Sequence, residues 1–426
     1  MKGRAVVLTT DTVISPFGDP AREAYFSGET IEQTQRSTFA RMKFERVVAA
    51  DPAEAMRLVK EAPAGRPVLL LLDRIYLSEK AAKDFLKAAR QTSRPAALSL
   101  TLNASVDYTL PLQSVRKDGD AVVHDVLLVE GATLPEPEDG EDGVTWLRRI
   151  EATPVDVPKR EIVAPIPLPT IGEREKATLL YPITSTLVVS IEHWVHVLWL
   201  NQIAFGVRWV ELLRRKPLWG LWRALTTFSL NKFKLLDRLV YKHKGASVHP
   251  SAYVSASILG EGVKIGANAS VRNSIVGAGA VVQDHAVLLN CVVGEGALIR
   301  ENAFLVSNVI YPDATVGNYK LQVCLIGRGA YINNWASFVD AKFIGHVKVN
   351  KGGALVSSER AFLGSVIGHR AKMAAKMIVQ CGREIPNDTV IVMRPDEIIH
   401  TVPEHIEPGR PHVRDRGTLV PLGEES

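Results

Sequence analysis

A seventeen-residue repeat constrains the fold of this chain more than any other sequence feature. The segment VSASILG at residues 254–260 recurs as VRNSIVG at 271–277, as LLNCVVG at 288–294 and as LVSNVIY at 305–311. Within a copy the aliphatic residues are spaced by five, six and six positions. Internal similarity at a fixed period is typical of a repeat architecture.

The five-six-six spacing predicts a left-handed parallel β-helix over about residues 248–392, with three short strands in each coil. Each inward aliphatic side chain stabilises the stack by about 1.5–3 kcal/mol, and neighbouring coils bury one another. Another β-solenoid is the alternative, whereas an α-helix would need aliphatic residues three and four apart. Asn273 and Asn290 are expected at left-handed corners. Glycine is expected where a side chain would clash or φ is positive, at Gly260, Gly266, Gly277, Gly294 and Gly327.

Residues 1–130 alternate apolar runs with helical patterns, which predicts a Rossmann-like α/β domain with a largely parallel sheet. The expected strands are 5–8, 44–48, 68–72 and 97–102, and the expected helices are 53–60 and 78–90. Ser78 is the expected cap of the second helix. A connection rich in proline and acids follows at 131–175, with one further strand or helix at about 144–150.

The length of the chain, 426 residues, favours a multidomain protein. We expect an α/β domain at 1–175, a helical neck at 176–245, the β-helix at 246–395 and a carboxyl-terminal extension at 396–426. Three cysteines are too few for a disulfide framework, so we expect buried thiols and a cytoplasmic protein. The first apolar run is too short for a signal peptide and predicts a strand instead.

The expected neck is basic and rich in tryptophan. Lys and Arg outnumber acids ten to two between residues 208 and 244. Polar residues interrupt the apolar stretch 187–206, so a membrane span is not expected. The neck either packs between domains or lies on an anionic membrane surface. The candidate membrane or partner contacts are Trp219, Trp222, Lys232 and Lys234. No motif for nucleic acid is present, so that partner is not expected.

The order of α/β domain, neck and β-helix resembles the bifunctional sugar-1-phosphate nucleotidyltransferase and glucosamine-1-phosphate acetyltransferase family. The segments that carry the resemblance are VGNYKLQV (316–323), WASFVDAKFIG (335–345), GHVKVNKGG (345–353), VIGHRAKMAAKMIV (366–379) and, in the neck, HWVHVLWLN (193–201). The resemblance implies nucleotidyl or acyl transfer for cell-envelope polysaccharide or lipid synthesis, and a homotrimer. It also implies a sugar nucleotide or phosphosugar, Mg²⁺, and acetyl-CoA or another acyl donor.

The β-helix departs from the family at the positions that carry acetyl transfer. Trp335 stands where the family has its histidine base, Val323 where it has a lysine, and Phe338 where it has a tyrosine. Trp335 cannot take a proton from a substrate amine. The polar residues that remain as ligand candidates are Asn318, Lys320, Asn333, Asn334 and Asp340. The histidines of the repeats are expected at corners, at His285, His346 and His369.

The first domain departs as well, because the family's glycine-rich phosphate loop is replaced by TTDTVISPFG at 9–18. The run LLLD ends in Asp73, which resembles the family's Mg²⁺-binding aspartate at a strand end. Asp73, Arg74 and Asp11 are therefore the nucleotide or metal candidates. Alternatively, Asp73 caps a turn or pairs with Arg74. The expected function is that of a sugar-nucleotide transferase homologue, degenerate at both sites. The alternative is a non-catalytic trimeric scaffold or binding protein that the neck docks on a membrane surface.

Overall fold

The computed structural model describes residues 3–92, 95–129, 134–159, 161–167, 178–203, 205–227, 238–317, 320–406 and 408–423. The strands of its first half are β1 (Gly3–Leu8), β2 (Val13–Ile14), β3 (Asp19–Pro20), β4 (Tyr25–Phe26), β5 (Glu29–Thr30), β6 (Phe44–Ala49), β7 (Val68–Leu72), β8 (Ile75–Leu77), β9 (Ala96–Thr101), β10 (Arg116–Asp118), β11 (Ala121–Val129), β12 (Thr153–Asp156), β13 (Glu161–Pro167), β14 (Thr178–Thr184) and β15 (Val188–Ser190). The helices are α1 (Ile31–Met42), α2 (Pro52–Lys60), α3 (Glu79–Ala88), α4 (Ala104–Thr109), α5 (Gly143–Arg149), α6 (Trp194–Ile203), α7 (Phe205–Arg215) and α8 (Pro217–Thr227).

The first domain is built on one sheet with the strand order β12-β9-β11-β7-β1-β6, and β10 pairs with β11. β1 runs parallel to β6 and β7, while β11 runs antiparallel between β7 and β9. The α/β prediction is confirmed, with one antiparallel strand inside the sheet. All five residues of β7 are buried, as expected for a strand covered on both faces.

Local sequence explains where the helices begin. The hydroxyl of Ser78 accepts a hydrogen bond from the amide of Ala81 at the start of α3, which confirms the predicted cap. Thr30 and Gln33 form a capping box at the start of α1.

The sequence predicts a helical neck from residue 176, and for the apolar run before α6 this prediction is wrong. β14 pairs with β13 and β15 pairs with β8, because an apolar run bounded by proline and serine suits a strand as well as a helix.

The second half is a parallel β-helix with three faces. Face 1 is formed by Val240–Lys242, Ser257–Leu259, Ile275–Val276, Val292–Val293, Val309–Ile310, Leu325–Ile326, Val366–Ile367 and Glu384–Ile385. Face 2 is formed by Ser247–Val248, Lys264–Ile265, Val281–Val282, Leu298–Ile299, Thr315–Val316, Tyr331–Ile332, Lys372–Met373 and Val390–Ile391. Face 3 is formed by Tyr253–Ser255, Ser270–Arg272, Val287–Leu289, Phe304–Val306 and Lys320–Gln322, and Ser337–Phe338 pairs with Ile378–Val379 further along. Two antiparallel hairpins lie outside the three faces: Lys348–Lys351 pairs with Ala354–Ser357, and His412–Asp415 pairs with Thr418–Pro421.

The register follows the predicted repeat through its first coils. Val254 pairs with Val271, which is seventeen positions on. Leu305 pairs with Leu321, only sixteen positions on. Leu325 pairs with Val366, because the chain leaves the helix and returns after residues 339–365. The seventeen-residue period therefore holds locally, and the stack tolerates a deletion and an insertion at its corners.

The corners have the geometry that the sequence predicts. Asn273 and Asn290 have φ values of 48° and 55°. A Cβ atom on Gly277 would lie 2.7 Å from the amide nitrogen of Glu295 on the next coil, so a clash, not positive φ, requires glycine there. His285 also lies at a left-handed corner, with φ of 61°.

Face 1 carries the contact between the two halves of the molecule. Its outward residues Val292, Val309 and Leu325 are buried in one apolar cluster with residues of α6, including Trp194 and Trp199. Every described residue of α6 is buried. The helix is therefore a core element between the first domain and the β-helix, and its buried polar side chains, His196, Asn201 and Gln202, are satisfied by hydrogen bonds.

Candidate functional site

The first candidate site lies where β1 and β7 end at the same edge of the sheet. Asp73 follows β7 and is 2% exposed. Its Oδ1 atom accepts hydrogen bonds from the Thr10 amide at 3.2 Å and the Thr10 hydroxyl at 2.8 Å. Its Oδ2 atom lies 3.4 Å from Nη1 of Arg22. Burial raises the pKa of Asp73 above its usual range, although these three donors favour the carboxylate. Both carboxylate oxygens are thus engaged by the chain itself.

Arg74 does not pair with Asp73, so the predicted Asp73–Arg74 pairing is wrong. Its Nη1 atom donates to the Thr12 hydroxyl at 2.9 Å, and its Nη2 atom lies 3.5 Å from a carboxylate oxygen of Glu192. Burial would raise the pKa of Glu192, but Arg74 and hydrogen bonds from Ser114 and Ser190 hold it below its usual range. The Arg74–Glu192 pair fastens the sheet edge to the segment before α6.

Residues 9–26, here called the post-β1 segment, stand where the phosphate loop was expected, and they pack on the β-helix. The ring of Phe17 stacks on His369 with centroids 4.5 Å apart. The Oδ2 atom of Asp19 lies 2.9 Å from Nε2 of His369, and the side-chain amide of Asn387 donates to the Phe17 carbonyl at 2.7 Å. The segment is therefore held between Asp73 on one side and the β-helix on the other.

The residues at this edge do not fit a Mg²⁺ ion that bridges phosphates. The amide of Thr10, in the place of a phosphate-binding N–H group, points at Asp73. Asp11 is exposed, and Asp19 is held by His369. Within the described ranges no group of three or more potential metal ligands comes together. Proteins usually hold Mg²⁺ through one or two carboxylates together with waters and phosphate oxygens, and both oxygens of the one buried carboxylate at this edge, Asp73, already contact Thr10 and Arg22.

The second candidate site is the stretch of β-helix that resembles the acetyl-transfer site. Trp335 has φ of 65° and is 58% exposed. It occupies the left-handed corner that Asn268 and His285 occupy on earlier coils. Phe338 is buried at 5% exposure, and Val323 lies at another left-handed corner with φ of 55°. The three family positions thus carry one exposed indole and two apolar side chains.

The polar candidates of the β-helix lie on adjacent coils. Asn333 and Asn334 follow a face 2 strand, and the Asn333 side chain accepts a hydrogen bond from the Asn334 amide at 2.8 Å. Lys320 begins the face 3 strand one coil earlier and is exposed. Asp340 lies beyond the opposite end of the next strand, and its carbonyl accepts from the Leu363 amide. Asn318 lies outside the described residues.

Sequence reasoning missed a buried histidine pair at the start of α6. The Nε2 atom of His196 lies 2.9 Å from the Pro111 carbonyl, while its Nδ1 atom accepts from the Glu192 amide. His193 contacts the carbonyl of Asn350 at 2.8 Å. Burial lowers the pKa of His196 to about 3 and that of His193 to about 4. Both rings are neutral packing groups that join the first domain, α6 and the hairpin of residues 348–357.

The first domain also has a cavity of about 400 Å³ between β9, β11 and α5. His124 lines it and is buried, and among the described residues its Nε2 atom has no hydrogen-bond partner. Arg148, also in the lining, is held by Asp125 at 2.9 Å. Nothing in the sequence pattern pointed to this place, because a single histidine in a strand carries no motif.

The two neck candidates that the structure describes, Trp219 and Trp222, differ in exposure. Trp219 is half-buried, with its ring stacked on Trp209 at 6.2 Å and edge-on to Tyr241 at 5.1 Å. Trp222 is 56% exposed. Lys232 and Lys234 lie outside the described residues. No helix in the described ranges is long and apolar enough to cross a membrane.

Comparison with known proteins places the β-helix in a class. Residues 236–316 match the family model described as the GMPPB C-terminal domain, the left-handed β-helix part of sugar-1-phosphate nucleotidyltransferases. The match covers about a fifth of the chain. The resemblance predicted from the sequence is thereby confirmed for this part. No curated protein matches the sequence.

Two acetyltransferases are among the solved structures that match. One is a mutant of GDP-perosamine N-acetyl transferase from Caulobacter crescentus in complex with CoA and GDP-perosamine. It shares 18% identity over 37% of this chain and 57% of that chain, with a TM-score of 0.15. Another is the acetyltransferase domain of PglB from Neisseria gonorrhoeae FA1090 in complex with acetyl coenzyme A. It shares 17% identity over 34% of this chain and 53% of that chain, with a TM-score of 0.18. The chain thus spans less than two thirds of either structure, and likeness at these scores carries no argument about ligands.

Proposed function

We propose that this protein is a sugar-nucleotide transferase homologue that has lost catalysis at both family sites and acts as a binding or scaffold protein. The single observation that carries the proposal is the engagement of Asp73 by Thr10 and Arg22. In a working nucleotidyltransferase site this carboxylate would face a metal and phosphates. Here the post-β1 segment takes that place and is itself fastened to the β-helix.

The β-helix supports the same proposal. General-base catalysis of acetyl transfer needs a group that accepts a proton from the attacking amine. Trp335 supplies no such group, and Phe338 and Val323 supply no polar contact to a sugar. An acyl donor therefore enters the proposal only as a ligand to be tested, without a reaction step assigned to it.

We further propose that the protein forms a homotrimer in the cytoplasm, at the inner face of the membrane. Face 3 supports self-association, because its outward residues include Tyr253, Leu289 and Phe304 at 49%, 39% and 42% exposure. A sheet face with several exposed apolar side chains marks a protein contact more often than a free surface. Face 1 is already covered by α6. The lipid contact depends on the neck and is argued below.

A melting experiment tests whether the site at Asp73 is closed to nucleotide sugars, because a ligand that binds the native protein raises the melting temperature by mass action. We would measure melting of the full chain with uridine and guanosine diphosphate sugars plus Mg²⁺, and separately with acetyl-CoA. The proposal predicts no shift with nucleotide sugar at millimolar concentration. A shift that Asp73→Ala abolishes and Asp51→Ala preserves would overturn it. Asp51 is the matched control because it is exposed and caps α2 at the same edge of the sheet.

A further inference from the structure

α8 presents an apolar stripe to solvent. Leu218, Leu221, Trp222 and Leu225 are 82%, 59%, 56% and 65% exposed. Their spacing of three, four and seven positions places them on one side of a helix. Four large apolar side chains on one exposed helix face are unusual for a free surface, since scattered single ones are the norm.

The body of the protein fixes this orientation. Trp219 packs on Trp209 and Tyr241 and anchors the inner side of α8. Gly220 lets α8 approach α7 closely, because a Cβ atom there would lie 2.8 Å from the Leu213 side chain. The stripe therefore faces outward as a consequence of packing on the opposite side.

The surroundings of the stripe are basic. Arg214, Arg215 and Lys216 precede α8 and are exposed, and within the described part of the chain none of them forms an ion pair. No acidic residue occurs between positions 212 and 236. The acid that precedes this stretch in the sequence, Glu211, is held by Arg208 at 3.2 Å. An apolar stripe beside uncompensated positive charge is complementary to an anionic lipid surface.

A groove lies beside the stripe, between α8 and the first coil of the β-helix. It encloses about 550 Å³ and is lined by Trp222, Arg223, Lys242, Val248 and Val254, among others. Lys242 is exposed and would meet lipid phosphates at the rim of the groove. Arg223 donates to the Arg238 carbonyl and lies over the ring of Trp222, and the two valines belong to the apolar end of the first coil. Tryptophan at such a boundary has an apolar body and a polar N–H group, which suits the headgroup level.

We propose that α8 docks this protein on the surface of an anionic phospholipid bilayer, with Leu218, Leu221, Trp222 and Leu225 inserted at the headgroup boundary. The helix has eleven residues, which is about 16 Å at 1.5 Å per residue, so it lies in the interface and does not span. This inference rests on the membrane contact in the proposed function and identifies α8 as the part of the protein that makes it. It is independent of whether the first domain binds a nucleotide.

Vesicle co-sedimentation of the full chain tests the proposal. The protein should sediment with phosphatidylcholine vesicles that contain phosphatidylglycerol, should do so much less with phosphatidylcholine alone, and should be released by salt. Leu221→Glu combined with Leu225→Glu should reduce the partition coefficient at least tenfold. The matched control is Phe343→Glu combined with Ile344→Glu, which changes two exposed apolar residues far along the chain, at 74% and 82% exposure, and should leave binding unchanged.

Three outcomes would overturn the proposal. The first is wild-type protein that does not sediment with anionic vesicles. The second is equal loss of binding in the control variant. The third is vesicle-independent self-association that Leu221→Glu combined with Leu225→Glu abolishes, which would make a second copy the occupant of the stripe. Failure here leaves the nucleotide-sugar measurement untouched, so the two proposals fail separately.

Discussion

The imidazole of His369 lies parallel to the ring of Phe17, with centroids 4.5 Å and planes 11° apart. The same imidazole accepts a hydrogen bond from the Arg328 amide through Nδ1 and meets Asp19 through Nε2. One histidine of the β-helix thus fixes the post-β1 segment by stacking and by polar contact. The segment that replaces a phosphate loop is consequently part of the interface between the two halves of the protein.

Phe17→Ala should destabilise this interface. Phe17 is 4% exposed, and truncation of a buried phenylalanine costs about 3–5 kcal/mol of folding free energy. We expect an earlier thermal transition and faster limited proteolysis between the two halves. Phe343→Ala is the control, since Phe343 is 74% exposed. Equal melting of both variants would contradict the role given to the segment.

Glu192→Gln should lower the free energy of unfolding more than removal of both charges of the Arg74–Glu192 pair does. The side chains of the pair are 8% and 7% exposed, and removing one charge of a buried pair costs about 3–5 kcal/mol because the other remains buried without its partner. Arg74→Met combined with Glu192→Gln should recover part of that stability. Chemical denaturation of the two single variants and the double variant gives the coupling energy. Additive effects would show that Arg74 and Glu192 do not stabilise each other.

Stability should fall as the pH is lowered from about 7 towards 5. Burial lowers the folded-state pKa of His196 to about 3 and that of His193 to about 4, against about 6.5 in an unfolded chain. The unfolded state therefore binds more protons in this range, so stability is complete above the unfolded pKa and is lost as the pH falls. Glu192, with its lowered pKa, acts in the same direction only at lower pH, because an unfolded glutamate titrates near 4.3.

The melting temperature measured across this range checks the sign. His193→Gln should flatten the dependence, because glutamine places no proton-binding group beside Asn350. His249→Gln is the control, since His249 is exposed in the first coil. A melting temperature that rises on acidification would show that the histidines are not buried as neutral rings.

The sequence predicted those features that depend on local pattern. The period at Val254 and Val271 specified the coil, and Asn273 and Asn290 marked its left-handed corners, because both follow from backbone geometry within one repeat. The partner of Arg74 was not predictable, since Glu192 lies more than a hundred residues along the chain and is brought close only by tertiary packing. The strands at 178–190 were misassigned because periodicity does not separate a short buried strand from a helix.

The sequence predicted where the candidate sites lie, but not that the Asp73 carboxylate is already engaged by other residues of the chain. Asp73 does lie at the end of β7, as the LLLD pattern indicated. The post-β1 segment engages this carboxylate. Contacts with His369 and Asn387, near the far end of the chain, hold the segment in place. No local pattern in residues 9–18 records those contacts.

Phe304→Lys combined with Leu289→Lys should convert the proposed trimer to a monomer. Both side chains point outward from face 3 and are 42% and 39% exposed in the single chain. If three copies bury this face, the charges would be desolvated without partners, which is strongly unfavourable. Light scattering coupled to size-exclusion chromatography would give the mass of each species. Tyr331→Lys is the matched control, because Tyr331 has similar exposure, 37%, on face 2, and it should remain trimeric. A wild-type monomer at micromolar concentration, or dissociation of the control variant alone, would show that face 3 is not the interface.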